Sequence, residues 1–483
     1  MAQLQAHSVR EFSKGVYSNV NPFLAPQNSV RHAINFIFDD EYGAAKVRLG
    51  STIIGSQLVA ENNSILGMHN FRDRDGSNHA LLAAVNVAGD ATSTIFNVAT
   101  GGSVHTGNTA GAVHRFETFL DSVVFVNGTN TPLAWNGSGN FAASTALGTA
   151  SMQSSSVDII NYKDRLWTLT AGGILYGSSI PAASAYNTIS WTSGNKTVAI
   201  DPDSTSYTGA GIGLARVSGL LLIFKERALY SFNGSATQAD FLYNVGCSSV
   251  RSIATGGGSV FFFNPDGIWQ TRGSEPVRIS RPVQAYIDGM SSSNYASVAG
   301  HANGKYYWCS IGDVTIGLVT YTNVVLRYSI STQEWAVLSY ANRPTAFSQY
   351  INGTAVTVAY GDSTARAYTL DSGTTDNGTA IEFEIISHEK DFGDRALLKD
   401  LHDKLIVYTK DSSDIEVSIR SDGQEFVTVG HVLRQVDELP LSPYVLSGNF
   451  FDVRFVGSTS GASPILYGYE FPGIGSSGKT IAE

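Results

Sequence analysis

Cysteine is almost missing from this chain, with two residues among 483. Cys247 and Cys309 lie in apolar or Gly/Ser-rich surroundings and show no C-x-x-C spacing. A disulfide framework needs a larger even set of cysteines, and a cysteine-only zinc site needs paired, closely spaced thiolates. The sequence therefore disfavours both and predicts two buried free thiols.

Charged residues are also scarce, at 15%, and the formal net charge is −10 without a long run of either sign. A protein that grips nucleic acid normally has a basic face or cluster, and no such cluster is visible. No stretch approaches the roughly 18 apolar residues of a membrane-spanning helix. The N-terminus has no apolar segment behind its basic residues, so we expect no signal peptide.

Motifs that carry chemistry are missing too. The ten histidines are scattered, without an H-E-x-x-H pattern, and neither G-x-S-x-G nor a phosphate-loop Lys-Ser/Thr occurs. Residues 73–76, Asp-Arg-Asp-Gly, are superficially similar to a calcium loop, but Ala84 stands where that loop needs a glutamate. An ordinary Asp-Gly turn explains them better. We predict no catalytic residue, no metal site and no cofactor.

Glycine and apolar residues are abundant. The sequence contains 49 glycines, 43% hydrophobic residues and 11% aromatic residues, which predicts a large core and many turns. Residues 219–282 show the pattern most plainly, because apolar runs of four to six residues alternate with turn formers such as Asn264-Pro265-Asp266-Gly267. Such runs are typical of strands joined as hairpins. The fold class predicted is all-β.

The hairpins recur. Corresponding strands begin near residues 81, 119, 160, 219, 258, 303 and 352, and intervals of about 40 to 50 residues are typical of four-stranded propeller blades. The sequence thus predicts a degenerate β-propeller of about six to eight blades over residues 56–372. The alternative is two or three stacked β-sandwiches. Within the propeller, residues 220–224 and 261–263 should form inner strands of adjacent blades, with alternate side chains buried.

Three further regions flank this repeat. Residues 1–55 form an extended N-terminal arm and a first hairpin across residues 34–49. After a polar linker, residues 376–472 alternate apolar and polar positions, which predicts an antiparallel β-sandwich that folds as a unit. The Gly/Ser-rich residues 473–483 should be a flexible tail.

A set of short motifs resembles the tail nozzle or hub proteins of short-tailed bacteriophages, which include the packaged-DNA stabilisation proteins. The set comprises NPFLAP at residues 21–26 leading to Asn35 and Gly43; LLIFKERALYSFNG at 221–234; VFFFNPDGIWQTRG at 260–273 followed by RISRP; and, late in the chain, residues 376–378 and Asp391-Phe392-Gly393 with Lys399. The resemblance covers most of the chain, from about residue 20 to 470.

The resemblance implies a function. Members of this family are virion proteins, β-propellers with added β-domains, arranged as a hexameric ring below the portal and adaptor rings. The ring continues the DNA channel, retains the packaged genome and lets it exit on infection. The implied partners are other copies of the chain, the portal or adaptor ring, tail fibre or spike proteins, and duplex DNA that passes through without sequence-specific binding. The implied location is the virion tail, after assembly in the host cytoplasm.

Two alternatives stay open. A glycan-degrading propeller enzyme of a phage tail would need an acidic pair in an aromatic pocket, for which Trp167, Trp191 and Trp269 are candidates. A monomeric propeller could instead bind a protein or sugar. If the protein is the conduit, the residues that gate the channel are unknown; the candidate segments are the Gly/Ser/Thr-rich residues 181–213 and the polar span 312–322, through flexible closure.

Overall fold

The computed structural model describes residues 5–18, 21, 24–38, 43–60, 63–87, 92–182, 188–200, 205–393, 395–401, 403–410, 414–444 and 446–480. The predicted all-β class is confirmed. The helices in the described chain are short: two α-helices, Thr205–Thr208 and Gln284–Asp288, and four 3-10 helices, Thr149–Ser151, Val250–Ser252, Arg281–Val283 and Ser292–Ser297.

A β-propeller fills the middle of the chain, as predicted. Six separate sheets surround a common axis, and four strands of a larger sheet complete the circle at a seventh position. The strands, in order from the axis outwards, are: blade 1, Ile65–Arg72, Asn78–Asn86, Thr92–Asn97, Ser103–Thr109; blade 2, Arg115–Phe119, Ser122–Val126, Leu133–Trp135; blade 3, Ser156–Tyr162, Arg165–Thr170, Ile174–Gly177, Lys196–Ala199; blade 4, Gly211–Val217, Leu220–Lys225, Leu229–Phe232, Asp240–Tyr243; blade 5, Ala254–Gly256, Ser259–Asn264, Gly267–Thr271, Val277–Arg278; blade 6, Ala299–Ala302, Tyr306–Ile316, Val319–Ser329, Trp335–Ser339; blade 7, Pro344–Asn352, Ala355–Asp362, Ala367–Thr369, Thr52–Ile54.

The circle is closed by a strand from the other end of the chain. Thr52–Ile54, which the sequence grouped with the N-terminal hairpin, pairs with Ala367–Thr369 as the outermost strand of blade 7. The first strands of consecutive blades contact one another all the way round, including blade 7 against blade 1. Each blade therefore buries both of its faces, as a propeller requires.

Burial on both faces corrects one expectation. Leu220–Lys225 and Ser259–Asn264 do belong to adjacent blades, but each is the second strand from the axis, and nearly every residue is buried rather than every other one. Side chains on opposite faces of Leu220–Lys225 enter different cores: Ile223 packs between blades 3 and 4, and Phe224 between blades 4 and 5. A strand in this position reads as a continuous apolar run.

The remaining strands form two sheets that combine both ends of the chain. The N-terminal strands are Gln5–Val9, Gly15–Val16, Ser29–Ile34, Phe36–Ile37 and Ala45–Val47. The C-terminal strands are Ile381–Ser387, Leu397–Leu401, Lys404–Lys410, Ile415–Ser421, Val427–Val432, Val436–Pro440, Ser447–Gly448, Phe451–Thr459 and Ile465–Thr480. The predicted first hairpin is present, since Phe36–Ile37 pairs with Ala45–Val47; its tip lies outside the described residues.

One of these sheets has ten strands and runs directly out of the propeller. It continues from blade 6 through Gly15–Val16 and Ser29–Ile34 into Ile381–Ser387 and the strands beyond. The eight-stranded sheet takes Gln5–Val9 as the partner of Ile465–Thr480. The N-terminal segment is thus built into the sheets and is not a free arm. A separate β-sandwich over residues 376–472 stays a prediction.

The expected flexible tail is different in the structure. Residues 473–480 continue the strand Ile465–Thr480, which pairs with Leu397–Leu401 as far as Thr480. The last three residues lie outside the described chain. The Gly/Ser composition suggested flexibility, but backbone hydrogen bonds to a neighbouring strand do not depend on large side chains.

This arrangement changes the expectation for an isolated C-terminal fragment. Residues 376–472 alone lack the strand Ser29–Ile34, which pairs with Ile381–Ser387, so we expect them to show poor NMR dispersion. Residues 1–50 joined by a short Gly/Ser linker to residues 373–483 should instead give dispersed spectra and a cooperative thermal transition. The linker is feasible because the Gly50 N–H donates to the Gly373 carbonyl at 2.9 Å. Dispersed spectra from residues 376–472 alone would contradict the shared sheets.

Candidate functional site

The motifs that carry the family resemblance meet at the N-terminal segment, between the propeller and the C-terminal strands. They meet at two places. One is a buried ion pair centred on Arg48, here named the Arg48 junction. The other is a cleft of about 610 Å³ between residues 7–11, 25–28 and 388–395, here named the N-terminal cleft.

The Arg48 junction joins three regions through one side chain. Arg48 is 1% exposed, and its two terminal nitrogens donate to Asp376 Oδ1 at 2.9 Å and Oδ2 at 2.6 Å. Its Nε donates to Asn35 Oδ1 at 2.8 Å. A further bond reaches the Ser339 carbonyl of blade 6, and the guanidinium lies 4.2 Å from the ring centroid of Tyr340. Burial alone would lower the pKa of Arg48, but Tyr340 and Asp376 outweigh it and the pKa is raised.

Asn35 and Gly50 have local geometries that this junction requires. Asn35 has φ 62°, a left-handed conformation that asparagine tolerates better than most residues, and its side chain also donates to the Glu382 carbonyl at 2.7 Å. At Gly50 the backbone approaches the linker so closely that a Cβ would lie 1.9 Å from the Thr375 carbonyl oxygen. Only glycine fits there.

The N-terminal cleft brings together the early and late motifs. Ala25 and Pro26 line one side, and Asp391, Phe392 and Gly393 line the other. The Pro22-Phe23 part of the early motif lies outside the described residues. The loop after residue 388 is fixed because Lys390 and Phe451 exchange two backbone hydrogen bonds, at 2.8 and 3.0 Å.

Phe392 is held in a strained conformation at the base of this cleft. Its φ is 49°, which is uncommon for a bulky side chain. The ring is buried among His7, Phe451 and Phe471, with centroid separations of 4.9, 5.6 and 5.6 Å. Aromatic packing therefore offsets the backbone strain.

His388 gives the cleft an unused polar group. The side chain is 1% exposed, and neither ring nitrogen has a hydrogen-bond partner. Burial, together with the positive charges of Lys390 and Arg31, lowers the pKa of His388 to about 4. Burial also lowers the pKa of Lys390. At neutral pH the imidazole is uncharged and offers one donor and one acceptor to a polar group that enters the cleft.

The two candidate gating segments differ from expectation. Residues 312–322 are not a flexible loop but the outer part of the long hairpin Tyr306–Ile316 and Val319–Ser329, with Thr315 opposite Thr320 and a fully exposed Leu318 at the tip. The segment 181–213 lies partly outside the described residues and includes Lys196–Ala199, the outer strand of blade 3. Deleting it would remove part of a blade. The channel-gating residues stay unknown.

The other residues singled out from the sequence have structural surroundings. Trp167 and Trp191 are buried, and their indole nitrogens donate to the carbonyls of Tyr162 and Leu147 at 3.0 Å. Trp269 belongs to a different blade and donates to Asn264 Oδ1 at 2.8 Å. The three side chains do not share a pocket in the described chain.

Residues 73–77 form the turn of the first hairpin of blade 1, where the Asp73 carboxylate accepts the Ser77 N–H at 2.8 Å and contacts His79 Nε2 at 2.9 Å. Cys247 and Cys309 are buried free thiols, as predicted. Within the described ranges, no group of three or more His, Cys, Asp or Glu side chains is placed to hold a metal ion.

Sequence reasoning did not identify Arg48 or His388. The Arg48–Asp376 contact spans 328 positions, so local pattern could not pair them. The one signal available was that Asn35 and residues 376–378 belong to the same set of family motifs. His388 stands in a charged stretch that has the composition of a surface segment.

Comparisons with known proteins address the fold. No family model matches the chain, and no curated protein matches its sequence. Among solved structures, the chain is similar to Sqt1 of Saccharomyces cerevisiae, with 8% identity, a TM-score of 0.40, and coverage of 67% of this chain and 98% of that one. It is also similar to a chain of the mitotic checkpoint complex (9% identity, TM-score 0.40, coverage 66% and 93%) and to YCF48 bound to D1 peptide (10%, 0.40, 70% and 97%). No helix of the described chain is long and apolar enough to cross a membrane.

Proposed function

We propose that this protein is a structural component of a bacteriophage virion, a tail nozzle or hub subunit. Copies of the chain form a closed hexameric ring that continues the DNA channel below the portal and adaptor rings. The ring retains the packaged DNA and lets it exit on infection, and it carries tail fibre or spike proteins. Assembly takes place in the host cytoplasm.

The observation that carries this proposal is where the resembling motifs lie. Asn35 and Asp376 bond the same buried arginine, and Pro26 and Phe392 line the same cleft, although more than 300 residues separate the members of each pair. Motifs that meet in this way describe one architecture, in which the N-terminal segment joins the propeller to the C-terminal sheets. This supports a resemblance of whole fold rather than of isolated short segments.

Two exposed sheet edges supply a surface for ring contacts. Val427–Val432 ends the ten-stranded sheet, and Val436–Pro440 ends one side of the eight-stranded sheet. Three large apolar side chains on or between these strands are exposed: Val427 (40%), Leu433 (63%) and Val436 (54%). Unpaired edges with exposed β-branched residues favour association with another chain. A contact between this edge and a different surface of the next copy is heterologous and closes into a ring by rotation.

The charge of the chain suits a conduit. A net charge of −10 and a charged fraction of 15% give the protein little attraction for phosphate. Duplex DNA could then slide along the channel without adhering to it.

The test is the mass of the full-length protein in solution. We expect native mass spectrometry and analytical ultracentrifugation to show a closed hexamer. The double variant Leu433→Asp with Val436→Asp should dissociate to a folded monomer with an unchanged melting temperature. The matched control, Phe241→Asp, alters a side chain that is 52% exposed on the outer strand of blade 4 and should leave the hexamer intact.

DNA binding separates the conduit from a DNA clamp. The hexamer should bind duplex DNA no more tightly than the roughly 10⁻⁴–10⁻⁶ M of non-specific association at physiological salt. A wild-type monomer at micromolar concentration would contradict the ring and favour the monomeric binding propeller. Release of reducing sugars from host polysaccharide would favour the glycan-degrading enzyme. Tight duplex binding with a steep salt dependence would mean that the protein clamps DNA.

A further inference from the structure

A second cavity, of about 280 Å³, lies on the propeller axis. Its walls come from the first strands of blades 1, 2, 6 and 7 and from the 3-10 helix that precedes blade 5. Among the described residues of the wall are two arginines and three histidines, and none is an aspartate or glutamate. The cavity is therefore rich in donors from several directions. It is separate from the N-terminal cleft and from the Arg48 junction.

One of the two arginines is neutralised by the fold. Arg115 Nε donates to Asp158 Oδ1 at 2.8 Å, and Asp158 is 1% exposed. The other carboxylate oxygen of Asp158 accepts the Leu214 N–H of blade 4 at 2.7 Å. This ion pair links blades 2, 3 and 4, and it leaves no net charge in the cavity.

The other arginine, Arg251, has no counter-ion in the described chain. One terminal nitrogen donates to the Thr345 carbonyl at 3.1 Å, and the Nε atom is buried without a hydrogen bond. Burial lowers the pKa of Arg251 to about 10, and the nearby charges of Arg343 and Arg115 act in the same direction. The guanidinium is still charged at neutral pH. A buried charge without a partner is destabilising, so an anion in contact with it would stabilise the protein.

Uncharged donors surround the same space. His301 of blade 6 and Gln349 of blade 7 line the cavity and also line an adjoining cavity of about 440 Å³. Burial lowers the pKa of His301 to about 4, so its imidazole is neutral and has one N–H to donate. Donors that approach from different blades suit a tetrahedral anion, whose oxygens point in all directions, better than a planar carboxylate.

We propose that this cavity binds a small tetrahedral oxyanion, phosphate or sulfate, which pairs with Arg251 and connects blades 5, 6 and 7 at the propeller axis. The volume accommodates one such ion with a few waters, and it is small for a nucleotide, since pockets for larger organic ligands start at about 300 Å³. Free oxyanion rather than a phosphate ester is therefore the ligand. This inference does not depend on the proposed function.

The test measures the melting temperature of the full-length protein at constant ionic strength. Sodium phosphate or sulfate should raise the wild-type melting temperature by several degrees, with saturation, whereas chloride, acetate and adenosine 5′-monophosphate should not, because ligand binding to the folded state stabilises it. Isothermal titration with inorganic phosphate should give a single site.

Arg251→Met should remove the phosphate effect and raise the melting temperature in phosphate-free buffer, because it deletes the unpaired charge. A merely structural role for Arg251 would instead lower that temperature. Arg251→Lys should bind phosphate at least roughly tenfold more weakly, since lysine cannot form the bidentate contact. The matched control is Arg216→Met, which alters an exposed arginine on the first strand of blade 4, outside the cavity, and should respond to phosphate like the wild type.

A measurement that needs no variant is crystallographic. Crystals soaked in selenate should show an anomalous peak within hydrogen-bonding distance of the Arg251 guanidinium. No oxyanion-specific shift in the wild type, an unchanged phosphate response in Arg251→Met, or a selenate peak only at surface lysines would each overturn the proposal.

Discussion

The variant Phe262→Asp is expected to lose more than about 3 kcal/mol of unfolding free energy, because it removes a core aromatic ring and buries a carboxylate without a partner. Phe262 is 0% exposed, and its ring centroid lies 4.9 Å from that of Phe224 in the next blade. Calorimetry of the purified full-length protein should show a large fall in melting temperature or no folded protein at all.

Two further variants make this result interpretable. Phe262→Leu keeps an apolar side chain and should be folded, with a smaller loss of stability. Phe241→Asp places the same charge on an exposed position and should melt like the wild type. If Phe262→Asp assembled with an unchanged melting temperature, the packing of blade 4 against blade 5 would be wrong.

Arg48→Met is expected to cost about 3–5 kcal/mol, because it leaves Asp376 as a buried carboxylate without its arginine. Asp376 is 8% exposed, and Ser51 Oγ, which donates to Asp376 Oδ1 at 3.1 Å, cannot replace a positive charge. The double variant Arg48→Met with Asp376→Leu removes both charges and should recover much of the loss. Calorimetry of the three proteins gives the coupling free energy.

An exposed pair provides the comparison for this cycle. Arg74 and Asp121 form a bidentate pair in which the side chains are 56% and 42% exposed. Arg74→Met should leave the melting temperature unchanged, since solvent and salt screen such pairs. Additive effects of Arg48→Met and Asp376→Leu would contradict the assignment of Arg48 as the side chain that joins the propeller to the C-terminal strands.

The sequence by itself determined the local structure. Short apolar runs bounded by turn residues predicted the strands, and the recurrence of these runs predicted the propeller. The seven predicted starting points fall on or next to the second strand of each blade. Turn chemistry is equally local: Asn264 Oδ1 accepts the N–H groups of Asp266 and Gly267, all within four residues. Such features depend on neighbours in the chain, so they can be read without the fold.

Only the tertiary structure decided which strands share a sheet and where unpaired groups meet. Thr52–Ile54 closes blade 7, and Ser29–Ile34 pairs with Ile381–Ser387, across hundreds of residues. Arg48 finds Asp376 in the same way, and Arg251 comes to lie on the axis away from any carboxylate partner. Strand pairing depends on backbone groups that every residue carries, so composition does not specify the partner. Burial then decides whether a charge is paired or left for a ligand.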